Sequence, residues 1–124
     1  EVRLEGLDAL GEIDQDAVPI LERVIEAAEG RLDNPDFTVG DLASSLALSR
    51  RQLTRRLKQA VGETPGQVIH QLRIARAKTL LVEAESVAEV AYAVGYRSPS
   101  SFSQSFRKAT GMTPSEYGEA QQEE

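Results

Sequence analysis

The chain has 124 residues, no cysteine, one histidine and a formal net charge of -6. This length suits one small domain or two very small units, and the lack of cysteine excludes disulfides, thiolate metal sites and thiol nucleophiles. No stretch approaches the ~18 consecutive apolar residues of a membrane span, and no signal-peptide pattern opens the chain. Because the first residue is Glu1 rather than Met, we expect this sequence to be a piece of a longer protein.

Charge is unevenly distributed along the sequence. Residues 1–48 hold 3 basic and 12 acidic side chains, residues 49–110 hold 11 basic and 4 acidic ones, and residues 111–124 hold 4 acidic ones. Exposed charges more than about 10 Å apart are largely screened at ~0.1 M salt, so a polyanion responds to the local field. The net negative charge of the chain therefore does not exclude nucleic acid as a partner of the central segment. The more common interpretation of such a segment is that its charges form a solvated helix face.

The N-terminal part of the chain falls into two segments. Residues 1–15 predict an acidic linker, and residues 16–36 predict an amphipathic helix followed by a connection. The apolar face of this helix is expected to pack either on the helices that follow or on a domain upstream. That face carries Leu21, Val24, Ile25 and Ala28.

Residues 37–65 predict a first helix-turn-helix unit. Thr38 and Ser49 are placed to cap its two helices, and the turn between the helices falls at residues 47–48. Gly62 ends the second helix, because helices commonly stop on a residue that tolerates left-handed dihedral angles. The residues predicted to face inward are Val39, Leu42, Ala43, Leu46, Leu53, Leu57 and Ala60.

Residues 66–83 predict a long linker helix with one apolar stripe, and residues 84–118 predict a second helix-turn-helix unit. Ser86 and Ser98 are placed to cap the two helices of this unit, and Gly95 forms the turn. The stripe comprises Val68, Ile69, Leu72, Ala75, Leu80 and Leu81, and the second unit turns Val87, Val90, Ala91, Val94, Phe102 and Phe106 inward.

The C-terminal end of the chain completes a helical pattern. Pro114 begins a short last helix through Tyr117, and residues 119–124 predict an acidic tail. No segment shows a convincing strand alternation. The predicted fold is therefore all-α, with two helix-turn-helix units joined by a long linker helix and an extra N-terminal amphipathic helix.

An internal repeat supports this division. An offset of 49 residues aligns SRRQLTRRLKQAVGETP at residues 49–65 with SPSSFSQSFRKATGMTP at residues 98–114. Upstream, an offset of 48 aligns residues 41–43 with residues 89–91, so one residue is inserted at the second turn. The sequence therefore contains two copies of one helical unit.

Each copy carries a set of particular residue types at fixed spacings, and so many matching positions are hard to meet by chance. The second copy carries Ala91, Gly95, Tyr96, Ser98, Phe102, Phe106, Arg107, Gly111, Pro114 and Tyr117. The first carries Leu42, Ala43, Ser49, Leu53, Leu57, Lys58, Gly62 and Pro65, followed by Arg73, Ile74, Ala77, Leu80 and Leu81. Over residues 37–118 this pattern resembles the AraC/XylS family of bacterial transcription regulators. It departs from the family at Leu57, where an aromatic residue is common, and at Gly118, where a basic residue is often found. The resemblance implies two helix-turn-helix units, each placing one recognition helix in the major groove of DNA.

The geometry of DNA and the resemblance together indicate base-reading residues. A major groove about 12 Å wide admits one helix, and exposed positions at the start of each second helix reach the base edges. In the first copy these positions are Arg50, Arg51, Thr54 and Arg55, of which the family pattern favours Arg51, Thr54 and Arg55, and their equivalents in the second copy are Ser100, Ser103 and Gln104. Arginine suits guanine, a threonine methyl suits thymine and glutamine suits adenine, whereas serine is permissive. We therefore expect the first recognition helix to dominate specificity.

Basic residues near the two recognition helices are placed for phosphates, which fix the register and supply salt-dependent affinity. These residues are Arg50, Arg56, Arg97, Arg107 and Lys108. The amides at the helix starts near Thr38 and Ser86 are further candidates for phosphate binding. Arg73 and Arg76 lie on the linker helix, where they are expected to pair with acidic neighbours instead of phosphates. His70, on the same helix, is expected to pack in the core or lie at the surface rather than to bind a ligand.

Nothing in the sequence predicts an enzyme or a cofactor. It has no pair of carboxylates in an apolar context, no glycine-rich phosphate loop and no histidine partner for a serine nucleophile. We expect sequence-specific binding of double-stranded DNA by a cytoplasmic bacterial transcription regulator, with two successive major grooves read about 34 Å, or roughly 10 bp, apart. The alternative is a protein-protein interaction module that uses the basic central surface.

The expected partners besides DNA are RNA polymerase and an upstream regulatory domain of the same chain, and no membrane contact is expected. The resemblance implies either an effector-binding domain or a phosphoacceptor receiver upstream, the latter sometimes within a hybrid sensor kinase. The acidic linker and the helix that follows it favour the two-component arrangement. A further hypothesis is autoinhibition, in which the acidic N-terminal segment shields the basic surface until an upstream domain moves.

Overall fold

A computed structural model describes residues 18–84 and 86–122. Those residues form seven helices and no strand, which confirms the predicted all-α fold. The helices are α1 (Val18–Ala28), α2 (Val39–Ser45), α3 (Arg50–Val61), α4 (Pro65–Leu81), α5 (Val87–Ala93), α6 (Pro99–Thr110) and α7 (Pro114–Gln122). The expected acidic linker at residues 1–15 and the last two residues of the expected tail lie outside the described residues.

The described residues form two compact units, each with its own hydrophobic core. Unit 1 comprises residues 18–32 and 36–72, and unit 2 comprises residues 33–35, 73–84 and 86–122. Each unit contains one helix-turn-helix pair, α2 with α3 in unit 1 and α5 with α6 in unit 2. Helix α4 contributes its first part to unit 1 and its second part to unit 2.

In unit 1, helix α1 packs against both α2 and α3. Its Leu21 and Val24 are fully buried, and they lie in one apolar cluster with Leu42, Leu53 and Leu57. The sequence left open whether this amphipathic helix packs on the following helices or on an upstream domain. In the structure its apolar face is covered by the following helices, so α1 is part of the core that holds α3 in place.

Two arginines from the α1 side also satisfy polar groups at the end of α2. Arg23 Nη2 donates to the Leu46 carbonyl at 3.1 Å, and Arg31 Nη1 donates to Ser45 Oγ at 2.5 Å. The last carbonyls of a helix have no partner within the helix, so the donor from α1 satisfies one of them. The Arg31 guanidinium also lies 4.5 Å from the centroid of the Phe37 ring, within the range of a cation–π contact.

Side-chain caps begin six of the described helices. The four caps predicted from the sequence are present: the hydroxyls of Thr38, Ser49, Ser86 and Ser98 each accept a backbone N–H three residues further on, at 3.1 Å. Thr64 and Thr113 begin α4 and α7 in the same way. Each cap satisfies an amide that the helix leaves unpaired, which typically stabilises a helix by ~1 kcal/mol.

The turn between the paired helices has the same hydrogen bond in both units. Gly95 has a φ of +88°, and Ala47, its counterpart at an offset of 48, has a φ of +58°. In both units the residue after the turn donates its amide to a carbonyl five residues earlier, at 3.0 Å. The left-handed region costs an L-residue roughly 1–2 kcal/mol, a penalty that glycine avoids. Ala47 is therefore a strained position in the turn of unit 1.

A chain of aromatic rings fills the core of unit 2. Phe102 and Phe106 of α6 are fully buried, with ring centroids 5.6 Å apart. Tyr96 lies 5.3 Å from Phe102, and Tyr117 of α7 lies 5.5 Å from Phe106. Tilted and edge-on ring pairs of this kind stabilise a core by about 0.5–1.5 kcal/mol each beyond the area they bury. The prediction that both phenylalanines face inward is confirmed.

Helix α4 does not have the single apolar stripe that the sequence predicts. It buries Val68 and Leu72 in the core of unit 1. It buries Ile74 and Ala77 in the core of unit 2, and Ala75, which was expected on the stripe, is only half-buried. Because one helix serves two separate cores, its buried residues follow a different face in each part.

Two predicted helix ends also need correction. Helix α4 spans Pro65–Leu81 rather than residues 66–83, and the chain leaves it through a tighter turn in which the Glu83 amide donates to the Leu80 carbonyl at 3.2 Å. Helix α7 continues to Gln122, although the sequence predicts an end near Tyr117. Residues 119–122 are Glu-Ala-Gln-Gln, all good helix formers, so they extend the helix into the expected acidic tail.

The end of α7 lies close to the end of α4 within unit 2. Gln122 Nε2 donates to the Val82 carbonyl at 3.4 Å. Gly118 is buried, and a Cβ at this position would lie 3.3 Å from the Leu81 carbonyl oxygen. The glycine therefore allows a close approach of the two chain segments at the position where a basic residue is expected from the family pattern.

Candidate nucleic-acid interface

Helix α3 has a buried side and a basic side. Leu53, Leu57 and Val61 recur at helical spacing and are buried in unit 1. The start of the helix is held by a reciprocal cap, in which the Ser49 amide donates to Gln52 Oε1 at 2.9 Å and the Gln52 amide donates to Ser49 Oγ at 3.1 Å. The exposed basic residues of this helix are Arg50, Arg51, Arg55, Arg56 and Lys58. The packing therefore orients a positively charged helix start toward solvent.

The three residues of α3 that are expected to read bases lie near one another along the helix. Arg51 and Arg55 are both exposed and four residues apart, so their side chains lie on the same face. Thr54 is half-buried beside them, and its hydroxyl donates to the Arg50 carbonyl at 2.8 Å. Because that hydrogen is already donated, Thr54 has its methyl group and its two oxygen lone pairs left for an outside partner.

Arg50 differs in direction from the two arginines that follow it. A Cβ built on Gly40 would lie 3.7 Å from Arg50 Cδ, so the Arg50 stem passes over the start of α2. Arg56 is exposed on α3 beside Arg55. The structure thus separates the Arg50 stem from the face that carries Arg51 and Arg55, and its contact with phosphate stays a prediction.

The start of α6 is polar and uncharged. Phe102 and Phe106 anchor the helix in unit 2, as Leu53 and Leu57 anchor α3 in unit 1. Of the three predicted base readers of this helix, Ser100 and Gln104 are exposed and Ser103 is half-buried. The two recognition helices therefore share their anchoring but differ in the chemistry that they present.

The basic residues of unit 2 that lie outside α4 are found at the two ends of α6. Arg97 is exposed in the turn before the helix, and Arg107 and Lys108 are exposed in its last turn. A cation in the last turn also interacts favourably with the helix dipole, which is a structural reason for the same residues. Lys58 is the counterpart of Arg107 at an offset of 49 and is likewise exposed. The repeat identifies Lys58 as a further candidate that was not among the residues predicted for phosphate.

The starts of α2 and α5 are less suited to phosphate than the sequence predicts. Both first turns carry a carboxylate, Asp41 in α2 and Glu89 in α5. The Thr38 amide donates to Asp41 Oδ2 at 3.0 Å, and this bond, with the Thr38 hydroxyl and the charge of Arg31, holds the pKa of Asp41 below its ordinary value. An ionised carboxylate repels phosphate, so the structure does not favour anion binding there.

The charged residues of α4 also differ from expectation. Arg73 Nη2 donates to the Asn34 carbonyl at 3.0 Å, a backbone partner rather than an acidic side chain. Arg76 is exposed, and His70 is half-buried. No cluster of metal-ligating side chains is found within residues 18–84 and 86–122. In the same part of the chain, no helix has the length and apolar character needed to cross a membrane.

Comparison with known proteins identifies the same region. Residues 42–120 match the family model of a helix-turn-helix domain. The chain is 39% identical over 82 residues to a putative AraC-like transcription regulator from Streptomyces lividans, which is 65% of this chain and 27% of that protein. It spans between 7% and 30% of the length of the first curated relatives that it matches.

Two solved structures share the arrangement of helices. The C-terminal domain of AraT, a response regulator from Geobacillus stearothermophilus, superposes with a TM-score of 0.74 and 30% identity over 82% of this chain and 85% of that chain. The DNA-binding domain of the global transcriptional factor AdpA, solved in complex with a target DNA, superposes with a TM-score of 0.72 and 35% identity over 82% and 91% of the two chains. Together with the duplicated helix-turn-helix units, these matches confirm that the chain belongs to the AraC/XylS family of transcription regulators and contains the DNA-binding domain of that family.

Proposed function

We propose that this chain binds double-stranded DNA sequence-specifically through the major groove, as the DNA-reading part of a bacterial transcription regulator. The observation that carries the proposal is the start of α3, where Arg51 and Arg55 are exposed on one face while Leu53 and Leu57 anchor the other. Arginine recognises guanine through two hydrogen bonds to O6 and N7, which discriminate by about 1–3 kcal/mol against another base.

In this proposal the two recognition helices contribute unequally. Helix α3 reads guanine with Arg51 and Arg55 and a thymine methyl with Thr54, whereas α6 supplies weaker readout through Ser100, Ser103 and Gln104. Phosphate contacts come from Arg50, Arg56, Arg97, Arg107 and Lys108, with Lys58 added. These contacts make the affinity salt-dependent but not sequence-dependent.

Control by a separate domain of the same protein is part of the proposal. The chain covers less than a third of each of the first curated relatives, and the similar AraT domain is the C-terminal part of a response regulator. These similarities favour an upstream receiver or sensor over an effector-binding domain. Acting on the chromosome, the regulator works in the cytoplasm, where RNA polymerase is a further partner. It performs no reaction of its own.

Selection of bound duplexes from a random pool at ~150 mM salt tests the proposal directly, since specific sites outcompete non-specific binding at that salt. The unmodified chain is compared with the double variant Arg51→Ala and Arg55→Ala. A second double variant, Arg76→Ala and Lys78→Ala, removes the same charge from α4 and is the matched control. We expect two short enriched blocks, of which the first double variant loses one and the control variant loses neither.

The outcomes of this selection, with one follow-up experiment, separate the possible functions. Enrichment that is unaffected by the loss of Arg51 and Arg55 would show that α3 does not read the bases. No enrichment by the unmodified chain would favour either shielding by the acidic segment or a protein partner for the basic surface. Repeating the selection without residues 1–15 separates these two cases, because only shielding is relieved by the deletion.

A further inference from the structure

The turn that leads into recognition helix α3 is strained at one residue. Ala47 has a φ of +58°, in the left-handed region that L side chains rarely adopt. Ser49, the residue that caps α3, follows two positions later. A change in the backbone angles of Ala47 would therefore redirect the start of α3. The matching turn of unit 2 has Gly95 at this position, and glycine adopts the same conformation without strain.

Arg23 of α1 holds the peptide group that leads into the strained residue. Its Nη2 atom donates to the Leu46 carbonyl at 3.1 Å, across a sequence separation of 23 residues. That carbonyl belongs to the peptide group between Leu46 and Ala47, and a charged donor makes the stronger kind of hydrogen bond. Arg23 therefore fixes the direction of this peptide group relative to α1.

Backbone hydrogen bonds hold the other groups around Ala47. The Ala47 amide donates to the Ser44 carbonyl at 3.1 Å, and the Leu48 amide donates to the Ala43 carbonyl at 3.0 Å. These bonds tie the turn to α2, and the bond from Arg23 ties it to α1 as well. Because the strained φ angle lies between groups that are held on both sides, the loss of one of these bonds allows Ala47 to relax.

The position of the Arg23 donor is set by the core of unit 1. Leu21 and Val24, which lie on either side of Arg23 in the sequence, are fully buried. Helix α1 packs against both α2 and α3. The Arg23 side chain therefore reaches the turn from a helix whose place is fixed by packing, and its donor is withdrawn when α1 moves.

We propose that Arg23 is a positioning residue for DNA reading, which holds the strained turn at Ala47 from α1 and so fixes the direction of recognition helix α3. This inference rests on the proposed function and deepens it. Helix α1 precedes both helix-turn-helix units in the sequence, so a regulatory domain placed before it connects to unit 1 through α1. A domain that displaces α1 withdraws the Arg23 donor and thereby lowers the affinity of α3 for its block of DNA.

The direction of α3 in the free protein is the first readout. Residual dipolar couplings of the α3 amides, referred to those of the α1 amides, are compared between the unmodified chain and Arg23→Gln. We expect α3 to turn by about 10° or more, the tolerance within which a binding site must be held. Arg31→Gln is the matched control, because it removes the same charge from a side chain that reaches Ser45 rather than the turn, and it should leave α3 in place.

Relief of the strain separates positioning from packing. Ala47→Gly makes the left-handed conformation favourable without support from α1, so adding Arg23→Gln to that variant should leave α3 in place. A side chain that only stabilised the packing of α1 would have the same effect with alanine or glycine in the turn. Rotation of α3 in both backgrounds, or in neither, would overturn the proposal.

Binding of the selected duplex is the second readout. Arg23→Gln should weaken binding about fivefold, within the range of residues that act from outside a contact surface, and only where the α3 block is intact. The loss should disappear when Ala47→Gly is also present. The slope of log affinity against log salt should stay unchanged, because a residue that neutralises one phosphate would contribute about 0.9 to it. A smaller slope, or a loss that persists when the α3 block is scrambled, would overturn the proposal.

The two readouts distinguish failure of this inference from failure of the proposed function. If the unmodified chain binds no duplex, the dipolar couplings still decide whether Arg23 positions α3, and only the proposed function fails. If the duplex is bound, unchanged affinity in Arg23→Gln despite a turned α3 would overturn the role of Arg23 in DNA reading.

Discussion

Ala47 in the turn of unit 1 adopts a left-handed backbone conformation for which unit 2 has a glycine. The φ values, +58° at Ala47 and +88° at Gly95, lie in the region where an L side chain is strained. The repeat aligns the two residues in the sequence, but the sequence alone does not show that the alanine copy keeps the same turn. The directions of individual side chains could not be predicted from the sequence either. Examples are the Arg50 stem, which lies over the start of α2, and the Thr54 hydroxyl, which donates to a carbonyl of its own helix.

Replacing Ala47 with glycine should stabilise unit 1. The substitution relieves a left-handed penalty of roughly 1–2 kcal/mol and adds about 0.5–1 kcal/mol of backbone entropy cost, so we expect a net gain of about 0.5–1 kcal/mol in the free energy of unfolding. Urea unfolding measures the change. The control is Gln59→Gly, an exposed position in α3 of the same unit, which should lose about 0.5–1 kcal/mol. A loss in both variants would show that the turn at Ala47 is not strained.

Among the features of individual helices, the caps could be predicted from the sequence, whereas the buried face of α4 could not. The caps at Thr38, Ser49, Ser86 and Ser98 were predictable, because the cap residue bonds an amide only three positions away. The buried face of α4 was not, because it depends on which of two cores each part of the helix meets. The extension of α7 to Gln122 combines good helix formers at residues 119–122 with a contact distant in sequence, from Gln122 to the Val82 carbonyl.

Two capping boxes predict a sensitivity to acid. The Thr38 amide and hydroxyl lower the pKa of Asp41 from its ordinary 3.8, and the Thr113 amide and hydroxyl lower that of Glu116 from 4.5. The unfolded chain therefore binds protons at a higher pH than the folded one, so this stabilisation is present above the ordinary pKa values and is lost as the pH falls through the lowered ones.

The double variant Asp41→Asn and Glu116→Gln should consequently lose less stability on acidification. Both substituted side chains keep an oxygen that accepts the cap amide but no longer titrate in this range. Unfolding free energy measured by urea at a series of pH values below about 5 gives the comparison. Glu26→Gln, exposed on α1 and outside any cap, reports the effect of removing a carboxylate elsewhere. An unchanged pH dependence in the double variant would contradict the assignment of acid sensitivity to the caps.

At the scale of the whole molecule, the duplicated pattern predicted the fold class, the family and the two helices that carry the candidate site. Apolar spacing and cap residues repeat at offsets of 48 and 49, and these are local signals that survive in a single sequence. The assignment of residues 33–35 to unit 2 was not predictable, because it involves contacts between residues far apart in the sequence, such as the hydrogen bond from Arg73 to the Asn34 carbonyl across 39 positions. The sequence already shows that the exposed residues at the start of α3 are basic and that those at the start of α6 are uncharged. The structure adds that both helices are anchored by buried residues at matching positions.

Base reading by the arginines of α3 is tested most directly by the binding of the selected duplex and its single-base-pair variants over a salt series. Arg51→Ala should lose about 1–3 kcal/mol of binding free energy on the selected duplex, and that loss should vanish on the duplex in which the contacted guanine is replaced. Arg56→Ala should instead weaken every duplex alike and lower the salt slope by about 0.9. If Arg51→Ala also weakened all duplexes equally, with the same change in salt slope, α3 would hold the DNA backbone without reading its sequence.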